Sequence, residues 1–333
     1  MARHTFFCID VHTCGNPVRV VTSSAPPLPG LSMAERREAF IHNHDWIRRA
    51  LMFEPRGHDA MSGVVLYPPT RPDCDIGFLF IEVSGCLPMC GHGTIGAVTA
   101  IVEEGLVSPK VEGRLVIDAP AGPVEIEYVK TGERVEKVKI FNVASYLHAA
   151  DVKIDVDGVG PLDLAIAYGG NYYAIIEPQL NWRGLDGMSA NDILALSPHI
   201  RRAAELKVSP RHPEQPEIAK VSHVMWCDKP REPKAHARNA VFYGDRGIDR
   251  SPCGTGSSAR MAQLVARGDL GTGDDFVHES LIGTLFHCRV EGEAHVGPFS
   301  AIRPSVTGWA RVIGHHTIFV DDRDPLAFGF QLV

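Results

Sequence analysis

The sequence has no run of 18 apolar residues, so no segment is long enough to cross a membrane as a helix. It also lacks an excess of basic residues: 33 Lys and Arg against 40 Asp and Glu give a formal charge of −7, which argues against a nucleic-acid partner. The N-terminus reaches Asp10 too early for the apolar core of a secretory signal, and it predicts a first strand instead. These absences indicate a protein with no membrane or nucleic-acid partner, and the low density of cysteine favours a reduced cytoplasmic location.

Cysteine is sparse, with eight residues among 333, far below the density of small disulfide-bonded scaffolds. Four of the eight lie in or beside apolar segments and are expected to be buried small hydrophobic side chains: Cys8, Cys74, Cys227 and Cys288. Cys86 and Cys90 form a C-x3-C pair near His92, but no second ligand pair follows at structural-zinc spacing. We therefore expect no metal.

Short apolar or alternating segments, bounded by Gly, Pro, Asp or Asn, predict many strands. They span residues 6–10, 18–21, 63–67, 76–83, 115–118, 124–128, 135–141, 172–176, 221–227 and 240–243. A helix is predicted over 32–51, where Ser32 and Glu35 have capping-box spacing. A second helical region covers 189–207, and Pro198 is expected to break it.

The most informative feature is an internal repeat around two cysteines. Residues 88–94 (PMCGHGT) are echoed by residues 251–257 (SPCGTGS), and an apolar helical run of small residues follows each copy. Fifteen residues after each cysteine lies a glycine suited to end that helix, Gly105 or Gly268. The repeat predicts two similar domains related by duplication, each with a buried central helix that begins at Cys90 or Cys253.

A thiol at a helix N-terminus suits proton transfer. The positive end of the helix dipole is expected to lower the pKa of Cys90 and of Cys253, and the N–H groups of the first turn can hold a substrate carboxylate. Two such thiols on opposite faces of an α-carbon are what a racemase or epimerase needs. His92 and Asp249, at Cys+2 and Cys−4, are candidates to bind the substrate ammonium or to tune the thiols.

At these residues the sequence resembles the proline racemase family, which includes 4-hydroxyproline 2-epimerases and trans-3-hydroxyproline dehydratases. The resemblance covers almost the whole chain, through residues 10–19 (DVHTCGNPVR), 54–58 (EPRGH), 89–96 (MCGHGTIG), 168–174 (YGGNYYA), 249–256 (DRSPCGTG) and the terminal 324–330. The family often has Glu where Gly93 lies, and often Glu or Gly where Cys14 and Asn16 lie. We expect these departures to alter local packing without removing the mechanism.

The resemblance implies an α+β protein of two similar domains with the diaminopimelate-epimerase-like fold. Each domain is a sheet or barrel around a central helix, and the active site lies in the cleft between the domains. In that fold the last strands of the chain complete the first domain. The expected first domain is therefore 1–128 plus 308–333, carrying Cys90. The expected second domain is 129–307, carrying Cys253.

The resemblance also implies site residues and a reaction without a cofactor. Cys90 and Cys253 are the expected catalytic residues. Substrate contacts are expected from Gly91, His92, Gly254 and Thr255 to the carboxylate, from Asp249 and His92 to the ring nitrogen, and from Ser62, His223 and Tyr243 to the ring. The last three can all form hydrogen bonds, as a buried 4-hydroxyl requires.

The expected reaction is inversion at C2 of 4-hydroxyproline, between trans-4-hydroxy-L-proline and cis-4-hydroxy-D-proline. The alternatives are a proline racemase with a more apolar ring pocket and a trans-3-hydroxy-L-proline dehydratase, whose relatives carry Thr at the position of Cys253. Outside catalysis, the alternative is a thiol-bearing protein that binds an amino acid without turnover. The expected partners are the small-molecule substrate and, at most, a second copy of the chain.

Overall fold

The structure is a computed structural model that describes residues 3–332. None of the helices in that range has the length and apolar character needed to cross a membrane. The chain divides into two compact units. The Cys90 unit comprises the chain up to Ile140 and from Gly308 onward, and the Cys253 unit comprises Phe141–Thr307.

The described residues form 18 strands and four α-helices. The strands are β1 (Arg3–Thr13), β2 (Asn16–Ser23), β3 (Ser62–Tyr67), β4 (Ile76–Glu82), β5 (Gly85–Leu87), β6 (Arg114–Ala119), β7 (Gly122–Thr131), β8 (Arg134–Phe141), β9 (Ser145–Val156), β10 (Gly160–Tyr168), β11 (Tyr172–Ile176), β12 (Val221–Asp228), β13 (Ala237–Tyr243), β14 (Gly247–Ile248), β15 (Asp275–Glu279), β16 (Leu285–Val296), β17 (Phe299–Gly308) and β18 (Ala310–Asp321). The helices are α1 (Met33–Met52), α2 (Gly91–Glu103), α3 (Ala190–Val208) and α4 (Gly254–Arg267).

In the Cys90 unit, the returning strand β18 pairs with β1 along its whole length. The sheet continues through antiparallel β1–β2, parallel β2–β3, antiparallel β3–β4, parallel β4–β6 and antiparallel β6–β7. Val135 on β8 donates its N–H to the Glu103 side chain and accepts from Arg311. These bonds tie β8 to the Cys90 unit, so the division falls after Ile140 rather than after residue 128.

In the Cys253 unit, eight strands close into a ring in the order β9-β10-β11-β12-β13-β15-β16-β17, and β17 pairs back onto β9. The first ten residues of α4 are buried, and the helix packs against β9, β10, β11 and β16. In the other unit, α2 is likewise buried from Gly91 to Ile101 and packs against β1, β2 and β18. Each unit therefore has a central helix, as the repeat predicted.

The two units share one order of strand pairing. In both, an antiparallel pair (β1–β2 or β10–β11) is followed by a helix and a parallel strand, then by an antiparallel strand and a short hairpin strand. The central helix comes next, and the following strand pairs in parallel with β4 or β13. The predicted α+β class and the duplication are confirmed at the level of topology.

The ends of the helices agree with their capping signals. Ser32 accepts from the Glu35 N–H at the start of α1, and Ser189 forms a complete capping box at the start of α3. Gly268, in the left-handed region, ends α4. The predicted break at Pro198 is wrong, because α3 runs through it. Proline removes one helical hydrogen bond, and burial of one apolar face of α3 against β9 and β12 outweighs that loss.

Candidate active site

Each cysteine of the repeat is the N-cap residue of its unit's central helix. Cys90 precedes α2 and Cys253 precedes α4, and both are buried. The glycine three residues after each cysteine lies against the sulfur, since an added Cβ at Gly93 or Gly256 would be 3.0 Å from Sγ. Gly91 and Gly254 begin the two helices, where the first N–H groups have no intrahelical partner and can bind an anion.

The Cys90 sulfur lies beside an imidazole and a carboxylate. Its distance is 3.6 Å to His92 Nδ1 and 3.5 Å to Glu82 Oε1. Asn16 Nδ2 lies 2.9 Å from His92 Nε2 and orients the ring. Ser62 donates to Glu82 Oε1 at 3.4 Å. Three residues expected from the sequence, Ser62, Cys90 and His92, therefore come together in one site.

Glu82 is a site residue that sequence reasoning missed. It is the last residue of β4, and it is only 2% exposed. Ser84 donates to its other carboxylate oxygen at 2.8 Å. A buried carboxylate is costly unless it accepts hydrogen bonds, and this one accepts from Ser62, Ser84 and Cys90. The sequence feature that could have indicated Glu82 is a single acidic residue at the end of an otherwise apolar strand.

Glu82, Cys90 and His92 also present three potential metal-ligand atoms within 4.8 Å of one another. Carboxylate, thiolate and imidazole are the ligand types of zinc sites, so this cluster is the place to look for a metal. The same atoms take part in hydrogen bonds with Asn16 and Ser62. The absence of a metal stays a prediction.

The Cys253 sulfur lies beside a phenol. Tyr173 Oη, on β11, is 3.3 Å from Cys253 Sγ and 2.5 Å from Thr255 Oγ1. Asn171 Nδ2 donates to the same threonine oxygen at 3.5 Å. Tyr173 is completely buried, and the sequence predicted it only as part of a strand. The structure gives its hydroxyl two polar partners, one of which is the thiol.

Asp249 acts on Cys253 through the turn before α4. Its Oδ1 accepts from both the N–H and the hydroxyl of Ser251 at 2.8 Å, and Ser251 Oγ accepts from the Cys253 N–H at 3.2 Å. Cys253 itself has φ 63°, in the left-handed region that is costly for a residue with a Cβ. The Asp249 turn holds that conformation. Binding of a ring nitrogen by Asp249 stays a prediction.

The expectation of a lowered thiol pKa is wrong for Cys253. Burial raises the pKa of this thiol well above its usual range, and the charge of Asp249 raises it further. Hydrogen bonds from Tyr173 and from the Gly256 N–H act in the opposite direction. Loss of water around the buried sulfur is the largest of these effects on its pKa.

His223 and Tyr243, expected to contact the substrate ring, lie near Tyr173. The His223 ring is 4.7 Å from the Tyr173 ring and 6.2 Å from the Tyr243 ring, measured between centroids. His223 Nδ1 is 2.7 Å from Ser222 Oγ, which orients the imidazole. The structure thus groups His223 and Tyr243 with Cys253 and Thr255, and it groups Ser62 with Cys90.

The duplication relates these residues position by position. In the parallel pair β2–β3, Val18 is opposite Ser62, and in the parallel pair β11–β12, Tyr173 is opposite His223. Glu82 and Tyr243 each end a strand and pair with the glycine that begins the hairpin strand. The matched positions are therefore Asn16 and Asn171, Val18 and Tyr173, Ser62 and His223, Glu82 and Tyr243, and His92 and Thr255.

Two solved structures share this fold over almost their whole length. A hydroxyproline epimerase from Agrobacterium vitis, with bound trans-4-hydroxy-L-proline, matches with a TM-score of 0.90 at 27% identity, over 99% of this chain and 95% of that one. A probable proline racemase from Agrobacterium radiobacter, with bound carbonate, also has a TM-score of 0.90, at 32% identity, over 98% and 96% of the two chains. These two matches, in fold and in sequence together, place the chain in the class of the racemases and epimerases.

A sequence model described as proline racemase matches residues 8–331, and the chain belongs to the proline racemase family. A 4-hydroxyproline 2-epimerase of Rhizobium rhizogenes is 62% identical over 330 residues, which is 99% of each chain. The family resemblance expected from the sequence is confirmed.

Proposed function

We propose that this protein is a 4-hydroxyproline 2-epimerase that interconverts trans-4-hydroxy-L-proline and cis-4-hydroxy-D-proline. The observation that carries the proposal is the 62% identity, over 99% of both chains, to a protein named for that activity. The site supports it, because each unit places a cysteine at the start of a buried helix, beside groups that can exchange hydrogen bonds with the sulfur.

The proposed mechanism uses the two thiols in alternation. One sulfur, as thiolate, takes the proton from C2, and its electron pair forms the new S–H bond. The C–H electron pair moves toward the carboxylate, whose negative charge is stabilised by N–H groups at Gly91, His92, Gly254 and Thr255. The other thiol then gives its proton to the opposite face of C2. The cycle consumes no cofactor, and it ends with the two protonation states exchanged.

The residues near each thiol favour a polar substrate ring. Ser62 and His223 occupy matched positions in the two units, and both are polar and buried. A buried 4-hydroxyl needs such a hydrogen-bond partner, whereas proline has no ring hydroxyl that could bond to these side chains. Cys253 supports inversion rather than dehydration, since it supplies the second acid/base group. We propose a cytoplasmic enzyme whose partner is this small-molecule substrate.

The test is polarimetry of the purified protein with trans-4-hydroxy-L-proline, L-proline and trans-3-hydroxy-L-proline, with an assay for the dehydration product. We expect rotation to change fastest with the first substrate. In D₂O, deuterium should appear at C2 of the product. Activity should survive a chelator and dialysis. Faster turnover of proline, or dehydration of the 3-hydroxy compound, would refute the proposed reaction, and metal-dependent activity would refute the two-thiol mechanism.

A further inference from the structure

Tyr173 is a buried phenol that the two-thiol mechanism does not use. It lies on β11 within a cluster of buried residues that includes Cys253, Met225 and Val241. A tyrosine hydroxyl in such surroundings requires hydrogen-bond partners, because an unpaired one loses its hydration without compensation. The partners here are Cys253 Sγ at 3.3 Å and Thr255 Oγ1 at 2.5 Å.

The order of donors and acceptors directs the phenol proton toward the sulfur. Asn171 donates its amide N–H to Thr255 Oγ1, so the threonine oxygen already accepts one bond. The threonine hydroxyl proton can then be donated to Tyr173 Oη. Tyr173 has one proton left to give, and its remaining partner is Cys253 Sγ. The chain of hydrogen bonds therefore runs from Asn171 through Thr255 and Tyr173 to the sulfur.

Such a donor matters most when the sulfur is a thiolate. An O–H bond to a charged acceptor is stronger than one to a neutral acceptor, so it stabilises the ionised form. Burial raises the pKa of Tyr173 well above its usual range, and the charge of Cys253 adds to this effect, so the phenol keeps its proton over the working pH range. The bond also occupies one lone pair of the sulfur and leaves its other positions for the substrate.

We propose that Tyr173 is the positioning residue of Cys253: its hydroxyl, oriented by Thr255, donates to the sulfur and stabilises the thiolate that accepts the C2 proton. The proposal rests on the proposed function for the identity of the reaction. The hydrogen bond itself can be tested without any turnover. The Cys90 unit has Val18 at the matched position, so this support belongs to one thiol alone.

The test is Tyr173→Phe, which removes the hydroxyl and keeps the ring that packs on His223. The matched control is Tyr172→Phe, in the same strand, whose hydroxyl bonds to Tyr146 at 2.6 Å instead. Alkylation of Cys253 by iodoacetamide is followed against pH by mass spectrometry of the folded protein. We expect Tyr173→Phe to slow alkylation at neutral pH about tenfold or more, by raising the pKa of Cys253. Tyr172→Phe should leave the profile unchanged.

Epimerisation gives the second readout. In Tyr173→Phe we expect kcat to fall, and the limb of the pH–rate profile that reports Cys253 as a base to move to higher pH, with a smaller change in KM. Unchanged alkylation and pH–rate profiles in Tyr173→Phe would overturn the proposal, and so would equal shifts in the Tyr172→Phe control. If the unaltered protein does not turn over hydroxyproline, the proposed function fails, whereas the alkylation profiles still decide whether Tyr173 supports the thiolate.

Discussion

The two cysteine sites share a backbone plan and differ in the groups that surround the sulfur. Cys90 lies beside the Glu82 carboxylate and the His92 imidazole, whereas Cys253 lies beside the Tyr173 phenol, which bonds to Thr255. The Cys90 thiol can donate to its carboxylate neighbour, and the Cys253 sulfur can accept from its phenol neighbour. The duplication has preserved the helix cap and the close glycine while the polar partners diverged.

This divergence suits a substrate with two unlike stereocentres. The two 4-hydroxyproline epimers are not mirror images, because C4 keeps its configuration while C2 inverts. In the proposed mechanism the two thiols would therefore meet chemically different faces, and two identical thiol environments would offer no advantage. In this interpretation the group at each matched position, Ser62 against His223 or Glu82 against Tyr243, belongs to one face of the substrate.

The largest expected effect comes from removing either thiol. Cys90→Ser and Cys253→Ser should each lower kcat about 10³-fold or more, because an alcohol is a far weaker acid and base than a thiol at neutral pH. Initial rates by polarimetry measure this effect in both directions. Cys8→Ala, which removes a buried thiol on β1, should keep near-normal turnover. Near-normal turnover in either serine variant would refute the two-thiol mechanism.

An intermediate effect is expected from Glu82→Gln. The amide keeps the shape of the side chain but removes the charge that accepts from Cys90 and the two serines, so kcat should fall about 10- to 100-fold. Because the change is in the Cys90 site, the alkylation profile of Cys253 should not move.

The control for Glu82→Gln is Glu279→Gln. Glu279 is another buried carboxylate at a strand end, and it accepts backbone N–H groups of Arg231 and Glu232 rather than a thiol. Thermal unfolding of both variants separates lost stability from lost chemistry. If both substitutions lower kcat equally, Glu82 has no special relation to Cys90.

The sequence predicted the parts of the site that depend on local signals. The helix starts at Cys90 and Cys253, the closing Gly268 and the repeat itself are all readable from short patterns. The ten predicted segments fall on ten of the 18 described strands, and the other eight strands were missed. Among the missed strands, β9 and β16 have an apolar pattern that charged residues interrupt. Short patterns therefore located the two thiols and part of the sheet around each.

The partners of the thiols could not be predicted in the same way. Glu82 is eight residues before Cys90 and reaches it because the β4–β5 hairpin folds the chain back, which no residue pattern in that segment indicates. Tyr173 is 80 residues before Cys253 and reaches it through the packing of β11 against α4, which no local pattern encodes. The raised pKa of Cys253 has the same origin, since its main cause is tertiary burial.

The smallest expected effect concerns His223. It occupies the position matched to Ser62, and its imidazole, oriented by Ser222, can exchange a hydrogen bond with a ring hydroxyl. His223→Leu should therefore lower kcat/KM for trans-4-hydroxy-L-proline about tenfold more than for L-proline, because only the first substrate then has a polar group without its partner. His212→Leu is the control, since this buried histidine packs on Tyr168 instead. Equal losses on both substrates would show that His223 does not recognise the hydroxyl, and the divergence of the two sites would then concern the thiols alone.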